Sequence, residues 1–351
     1  MLKSCAQPLS AHYDCFLTDL DGVCYRGAEP IEFAAEGLSQ ARQNGVTVLF
    51  LTNNSARPPE TVAAQLSSLE IPATPEEVIN SAQTGVALLL EHIRPEDAVL
   101  ALGGQGVHDA LAAANVNVVA SADDHPTAVI QGLAEDLSWA DLSEAVLAIN
   151  AGAIHVATNL DATLPKERGM MIGNGSLVAA VANATGVTPL SSGKPKPDMY
   201  RLASTRAHAN NPLAIGDRLD TDIAGANQGG FDSIHLLTGV NSAQDVMYAP
   251  PALRPTFLGI DMLDVNLPVP EITAQTDGKW KCADAVAYVA DGILYVAGAR
   301  VTEGDQLTLP QYRAAVSAVW QATDRHDSVK VPAVEVVRGS TVKDSQISTR
   351  S

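Results

Sequence analysis

The apolar run Cys15-Phe16-Leu17-Thr18 stops at Asp19-Leu20-Asp21-Gly22, and no other stretch constrains the fold as tightly. A short, continuous apolar run bounded by polar residues is the mark of a strand buried on both faces, as in parallel sheets covered by helices on either side. In such open sheets the carboxyl ends of the strands form the crevice where ligands bind. Asp19 and Asp21 would therefore stand together at a ligand-binding edge. Dehydrated carboxylates are costly unless a proton, a cation or water compensates them. A hard divalent cation is the economical partner.

The remainder of the chain supports a sheet of that kind. From Tyr13 onward, strand-like runs alternate with Ala-rich helical patterns, the rhythm of βαβ units. Phe33 to Asn44 reads as a helix and Val46 to Leu51 as a second strand tipped by Thr52-Asn53-Asn54-Ser55, after which Pro58-Pro59-Glu60 opens another helix. A second alternating set follows, with strands expected at Ala98–Leu102, Ala128–Gly132 and Ile154–Thr158. The first pattern then resumes with Pro212–Asp217 and Asp232–Gly239. The expected architecture is thus α/β: a doubly wound parallel-sheet, Rossmann-like core over residues 1–84 and 187–264, interrupted by an α/β unit over 85–186.

After about Asp261 the rhythm changes. Leu267-Pro268-Val269-Pro270 reads as a linker to a small α+β unit over 271–351. There Ala285–Ala290 and Ile293–Ala297 make a hairpin around Asp291-Gly292, Pro310–Arg325 a helix and Val331–Val337 a strand, while Gly339–Ser351 reads as a frayed polar tail.

Bulk properties narrow the function. A formal charge of −18 opposes nucleic-acid phosphates and anionic membranes, which need clustered Lys and Arg. There is no apolar stretch of about 18 residues to suggest a membrane span. Four cysteines without a C-x-x-C pair read as reduced thiols. These features describe a soluble, cytoplasmic protein acting on a small ligand, with self-association left open.

Four polar clusters fall at strand tips or just before helices: Asp19/Asp21, Thr52/Asn53, Lys194 in Gly193-Lys194-Pro195-Lys196-Pro197, and Asp217/Asp222 in Gly216-Asp217-Arg218-Leu219-Asp220-Thr221-Asp222. On a doubly wound sheet these tips converge. Carboxylates suit magnesium, a hydroxyl and amides suit phosphate oxygens, and a lysine neutralises developing charge. The set fits phosphoryl transfer, with Asp19 as acceptor and Asp21 carrying a proton to the leaving alkoxide and later taking one from water. Gly22 would let the chain turn sharply beside the phosphate. Alone, Asp19 and Asp21 could be a cap and a turn residue, Thr52-Asn53-Asn54 a loop or cap, and Asp222 a capping residue; the four clusters together do not read so. Gly103-Gly104-Gln105-Gly106 lacks the spacing of a dinucleotide fingerprint and reads as a tight turn, and Asp123-Asp124-His125 as an exposed loop.

The four motifs, in this order, closely resemble those of the haloacid dehalogenase superfamily of aspartate-nucleophile phosphatases, and the inserted unit resembles that superfamily's large α/β cap. Within it, Gly216–Asp222 and Thr238–Ala243 most resemble actinobacterial glycerol 3-phosphate phosphatases, whose small C-terminal domain is similar to part of an acetyltransferase fold. The resemblance implies a Mg2+-dependent phosphomonoester hydrolase working through an aspartyl-phosphate, with glycerol 3-phosphate as first substrate and pyridoxal phosphate, phosphoglycolate or nitrophenyl phosphate as alternatives. It implies magnesium held by the Asp19 carboxylate, the Asp21 main-chain carbonyl and the Asp217 carboxylate, with Asp222 supporting through water or hydrogen bonds. Thr52 and Asn53 would hold phosphoryl oxygens, and Lys194 would bridge phosphate and nucleophile. Asn159 and Asp161, in Thr158-Asn159-Leu160-Asp161, would contact the leaving group. A phospho-accepting signalling module is a more distant reading, and a dimerising C-terminal unit a further one.

Overall fold

The computed structural model describes residues 1–166, 168–275 and 277–339; the expected tail beyond Gly339 lies outside them. Its largest sheet has six parallel strands in the order Phe257–Gly259, Asp232–Leu236, Pro212–Gly216, Cys15–Asp19, Thr47–Thr52 and Val78–Asn80. Every residue of Cys15–Asp19 is buried, as its unbroken apolar run requires in the middle of a two-sided layer. Phe16 faces one core with Phe50, Leu38 and Leu66, and Leu17 the other with Leu49, Tyr200 and Met199. Each such side chain contributes about 1.5–3 kcal/mol on burial. The order reverses direction at the Asp19 strand, so its tip lies at the switch point of the sheet.

Between Val78–Asn80 and Pro212–Gly216 the chain builds a second parallel sheet, ordered Leu190–Ser191, Ile154–Ala157, Ala128–Gln131, Ala98–Leu102 and Asn117–Val119. A hairpin, Thr163–Lys166 with Gly169–Ile172, projects from it. This is the cap. Gly103-Gly104-Gln105-Gly106 does not serve a nucleotide: the helix Gln105–Ala113 starts against the core loop, where Gly106 N–H donates to Ala56 O at 3.2 Å. A Cβ at Gly104 would come within 3.0 Å of Ala56 O, and one at Gly132 within 2.7 Å of Ser55 Oγ. Small residues are needed because cap and core backbones meet there.

The last unit is a five-stranded antiparallel sheet from Ile272–Ala274 to Ala299–Arg300, covered on one face by the helix Leu309–Asp324. Asp291 and Gly292 both have positive φ, 49° and 71°, giving the expected hairpin. Two expectations need correction. Only Glu335–Val337 of the stretch from Val331 forms a strand, pairing in parallel with Gln306–Thr308, because Val331 is buried in the apolar core instead. The strand begun at Asp232 ends at Leu236, before the turn through Thr238 and Gly239. Pro268–Val269 of the linker is itself anchored, paired with Cys5–Pro8.

This unit shares one apolar core with the six-stranded sheet: Trp320, Tyr312 and Val316 pack with Leu258, Val246, Met247 and Ile223. Trp320 Nε1 donates to Val246 O at 2.9 Å, and the buried Arg313 guanidinium donates twice to Leu258 O, at 3.2 and 2.7 Å. All four cysteines are unpaired and buried. Among the described residues no helix is long and apolar enough to cross a membrane.

Candidate active site

Asp19 is the last residue of the central strand and only 9% exposed. The Lys194 ammonium lies against it, donating to Asp19 Oδ1, to Asp222 Oδ1 at 2.7 Å and to Leu51 O at 3.4 Å. Lys194 is brought there by the loop before the helix Asp198–Arg206, and Asp222 by the turn after Pro212–Gly216. Gly216 must be glycine because the Asp222 side chain folds back over it. Asp222 is further held by Arg218 N–H at 3.1 Å, through its other oxygen.

Asp217 is fully buried. Its Oδ2 accepts from Val240 N–H at 2.6 Å, while Oδ1 has no hydrogen-bond partner. His235 and Asn241 fix its main chain: His235 Nε2 and Asn241 N–H lie 2.9 and 3.3 Å from Asp217 O. Gly22, with φ of +91°, has its missing side chain replaced by this carboxylate. The glycine therefore makes room for Asp217, a reason more specific than the sharp turn its sequence position suggests.

Asp21 stands beyond the strand end and is exposed. Crowding by the surrounding protein raises its pKa, opposed by Lys194 and Arg57. Burial raises the Asp19 carboxyl well above its ordinary range, with Asp222 adding to the rise and Lys194 opposing it. Burial, then Asp222, pushes Asp217 up to about 7. Burial alone would discharge Lys194, but Asp19 and Asp222 outweigh it and keep the ammonium charged.

One ammonium does not balance three carboxylates. Asp19, Asp217 and Asp222 each offer an oxygen within 4.8 Å of the others, and the buried Asp217 Oδ1 lacks a partner. Hard oxygen donors, excess negative charge and that orphaned oxygen fit a magnesium ion. The structure therefore brings Asp19, Lys194, Asp217 and Asp222 into one buried cluster with Thr52, 4% exposed, on the neighbouring strand tip.

The cap residues separate. Asn159 is buried at 3% exposure and its amide is committed: Nδ2 donates to Asn53 O at 2.7 Å, and Oδ1 accepts from Asp161 N–H at 3.2 Å. It fastens cap to core. Asp161 turns toward the site, within the fields of Lys194, Arg218 and Asp222; burial raises its pKa, against a hydrogen bond from Asn53. The Asn53 amide joins three segments, accepting from Lys194 N–H at 2.8 Å and donating to Lys194 O at 3.0 Å and Asp161 Oδ2 at 3.1 Å. Sequence patterns gave no sign of His235, and the stretch Thr238–Ala243 carried a resemblance without showing that Val240 and Asn241 hold Asp217.

A doubly wound sheet, an inserted cap and an aspartate–lysine–aspartate cluster at the switch point define a class of hydrolase, and comparison with known proteins specifies it. Residues 16–117 match the family model for haloacid dehalogenase-like hydrolases, and residues 191–264 match a second, HAD-hydrolase-like model. The chain is 40% identical over 335 residues to the D-glycerol 3-phosphate phosphatase of Mycobacterium tuberculosis, covering 92% of this chain and 88% of that one. It is 34% identical over 263 residues to an acid sugar phosphatase of Staphylococcus epidermidis, covering 74% of this chain and 98% of that one. The crystal structure of a glycerol phosphate phosphatase from M. tuberculosis in complex with magnesium superposes with a TM-score of 0.80 at 39% identity, covering 94% and 95% of the two chains. The crystal structure of a double mutant of a thermostable NPPase from Geobacillus stearothermophilus superposes with a TM-score of 0.66 at 32% identity, covering 72% and 97% of the two chains. The chain belongs to the haloacid dehalogenase-like hydrolase family.

Proposed function

We propose that this protein is a phosphomonoester hydrolase of small metabolites, acting first on glycerol 3-phosphate. The observation that carries the reading is the Lys194 ammonium set between Asp19 and Asp222 at the sheet's switch point, with Asp217 closing the cluster. An Asp19 oxygen attacks phosphorus as the bond to the ester oxygen breaks, and Asp21 gives its proton to the departing alkoxide. Asp21 then takes a proton from the water that attacks phosphorus, which breaks the bond to Asp19 and restores the carboxylate. The raised pKa of Asp21 suits the first role. Lys194 holds Asp19 in line, and its charge meets that of the transferring group.

The Asp19 and Asp217 carboxylates and the Asp21 carbonyl would hold magnesium, whose charge would stabilise the phosphoryl oxygens, with Asp222 acting through Lys194 and the loop. Thr52 and Lys194 are our donors to phosphoryl oxygens. Asn53 joins them by giving up its bond to Asp161, leaving that carboxylate to accept hydroxyls of a polyol leaving group and to repel an anionic one. This supports glycerol 3-phosphate over phosphoglycolate, as do the names of the glycerol phosphate phosphatases above. We further assign residues 1–84 with 192–264 to the core, 85–191 to the cap, since Leu190–Ser191 pairs within the cap sheet, and 271–351 to the C-terminal unit, and place the enzyme in the cytoplasm.

The test is phosphate release from glycerol 3-phosphate, pyridoxal phosphate, phosphoglycolate, sugar phosphates and nitrophenyl phosphate, compared by kcat/KM. Turnover that survives both Asp19→Asn and chelation would refute the mechanism. A clear preference for pyridoxal phosphate would refute the substrate.

A further inference from the structure

Asp161 can choose among leaving groups only if its height above the Asp19–Lys194 pocket is fixed, and the structure shows what fixes it. The loop Asn159–Ala162 leaves the end of the cap strand Ile154–Ala157 and is gripped from two sides. On the core side Asn159 bonds the Asn53 carbonyl, as does Ser81. On the cap side lies the first turn of the helix Asn174–Thr185. Gly173 N–H donates to Ala162 O at 2.9 Å, Gly175 N–H to Asp161 O at 2.8 Å and Ser176 Oγ to Ala162 O at 2.7 Å.

Asn174 occupies the centre of this arrangement and is 2% exposed. Its Nδ2 donates to Asn159 O at 2.9 Å and to Gln131 O at 3.3 Å. One buried amide thus joins the ends of two adjacent cap strands, one of them continuing into the Asp161 loop. This buried donor is costly to remove, because Asn159 O loses its partner away from water, while Gln131 O keeps only the Thr158 N–H at 2.9 Å.

On the phosphatase reading given above, we infer that Asn174 is a positioning residue for leaving-group selection: through Asn159 it holds Asp161 over the pocket, while leaving the phosphoryl-transfer groups untouched. Asn174 contacts none of Asp19, Lys194, Asp217 or Asp222 through its amide, and Asn53 O keeps its bond from Ser81 Oγ when Asn159 shifts, so the loss falls on where Asp161 stands rather than on how phosphorus is attacked. The leaving group of nitrophenyl phosphate has no hydroxyls for Asp161 to accept, so its hydrolysis is indifferent to that position.

The test compares Asn174→Asp, which keeps the volume but replaces the donor with an acceptor, and Asn174→Ser, a milder change. Each is assayed with glycerol 3-phosphate and nitrophenyl phosphate, alongside Asp161→Ala and the Asn174/Asp161 double variant. The inference expects KM for glycerol 3-phosphate to rise at least tenfold and kcat for nitrophenyl phosphate to stay within twofold. The double variant should be no worse than Asp161→Ala. Equal losses on both substrates, or an unchanged KM ratio in both Asn174 variants, would overturn it. Hydrogen exchange of residues 158–163 gives a readout independent of turnover. Tenfold faster exchange there, with the Cys15–Asp19 strand unchanged, supports the clamp, and unchanged exchange in Asn174→Ser refutes it even if Asn174→Asp fails to fold. If the wild-type protein hydrolyses no phosphomonoester, the phosphatase reading falls, and the exchange data still decide whether Asn174 holds the loop.

Discussion

Replacing Gly22 with alanine should disable the site through Asp217, a residue far away in sequence. An added Cβ would lie 2.5 Å from Asp217 Oδ2 and 2.7 Å from Cγ. Ordinary contact begins at 3.4 Å, so the carboxylate must retreat by about 0.9 Å. Retreat strains the bond from Val240 N–H to the same oxygen, which Gly239 also crowds. A misplacement of about 1 Å at a reacting centre lowers turnover by on the order of 100-fold. The φ of +91° adds a backbone cost, about 1–2 kcal/mol of stability for a residue with a Cβ. Gly239→Ala separates the two effects, since it crowds the same carboxylate without a positive φ. Phosphate release should be measured against magnesium concentration for both variants, with thermal melts in parallel. Both should need much more magnesium for half-maximal rate, and Gly22→Ala should also show the backbone penalty. Wild-type turnover and half-saturation, within threefold, in either variant would refute the confinement of Asp217 as a metal ligand.

Lys194→Met keeps the buried volume but leaves Asp19 and Asp222 facing each other, and kcat should fall by on the order of 10²–10³-fold; Lys196→Met, at an exposed neighbour, should change little in the same assay. Burial lowers the His155 pKa to about 4, so as pH falls below about 6.5 the unfolded chain takes up a proton that the folded chain refuses. The stability contributed by neutral His155 is complete above that pH and is lost between it and about 4. Urea unfolding at pH 6.5 and 5 should therefore show the wild type losing about 1.5 kcal/mol more than His155→Gln, and equal losses would contradict the assignment. Trp320→Ala should cost about 3–5 kcal/mol, with activity and helical circular dichroism lost at one urea midpoint because its core belongs to both units; two separate midpoints would refute that sharing.

The candidate site residues were legible because each ends a strand or precedes a helix, and a polar residue at such a punctuation point is conspicuous against an apolar run. Asp19, Thr52, Lys194 and Asp217 were found that way. What the sequence concealed were partners set by the third dimension. Asn159 stood in a recognisable cap segment, yet nothing in its neighbours says that its amide meets Asn53, 106 residues away. Asn174 follows a glycine at an ordinary helix start and carries no spacing signal. The glycines of residues 103–106 read as a tight turn, but nothing in them says that the turn is pressed against the core loop, because close packing of two backbones and close approach to a phosphate demand the same missing Cβ. Val331 fits a strand pattern, but the same apolar character serves a residue packed into a core without pairing. Alternation also could not show that the C-terminal helix would share its buried face with the catalytic sheet.

The position of the Asp19 strand also bears on how the molecule comes into being. That strand is hydrogen-bonded to Thr47–Thr52 on one edge and to Pro212–Gly216 on the other, while Lys194 reaches Asp19 from 175 residues away. As the chain leaves the ribosome from its amino end, the first edge can pair early, but the second must wait until the whole cap has been synthesised. During that interval the newborn chain carries an open strand edge, a template for unwanted pairing, beside a carboxylate with neither its lysine nor Asp217. Long-range closure of this kind is slow. The cap, complete in its own parallel sheet, can fold in the meantime, shortening the span that the two halves of the core must close.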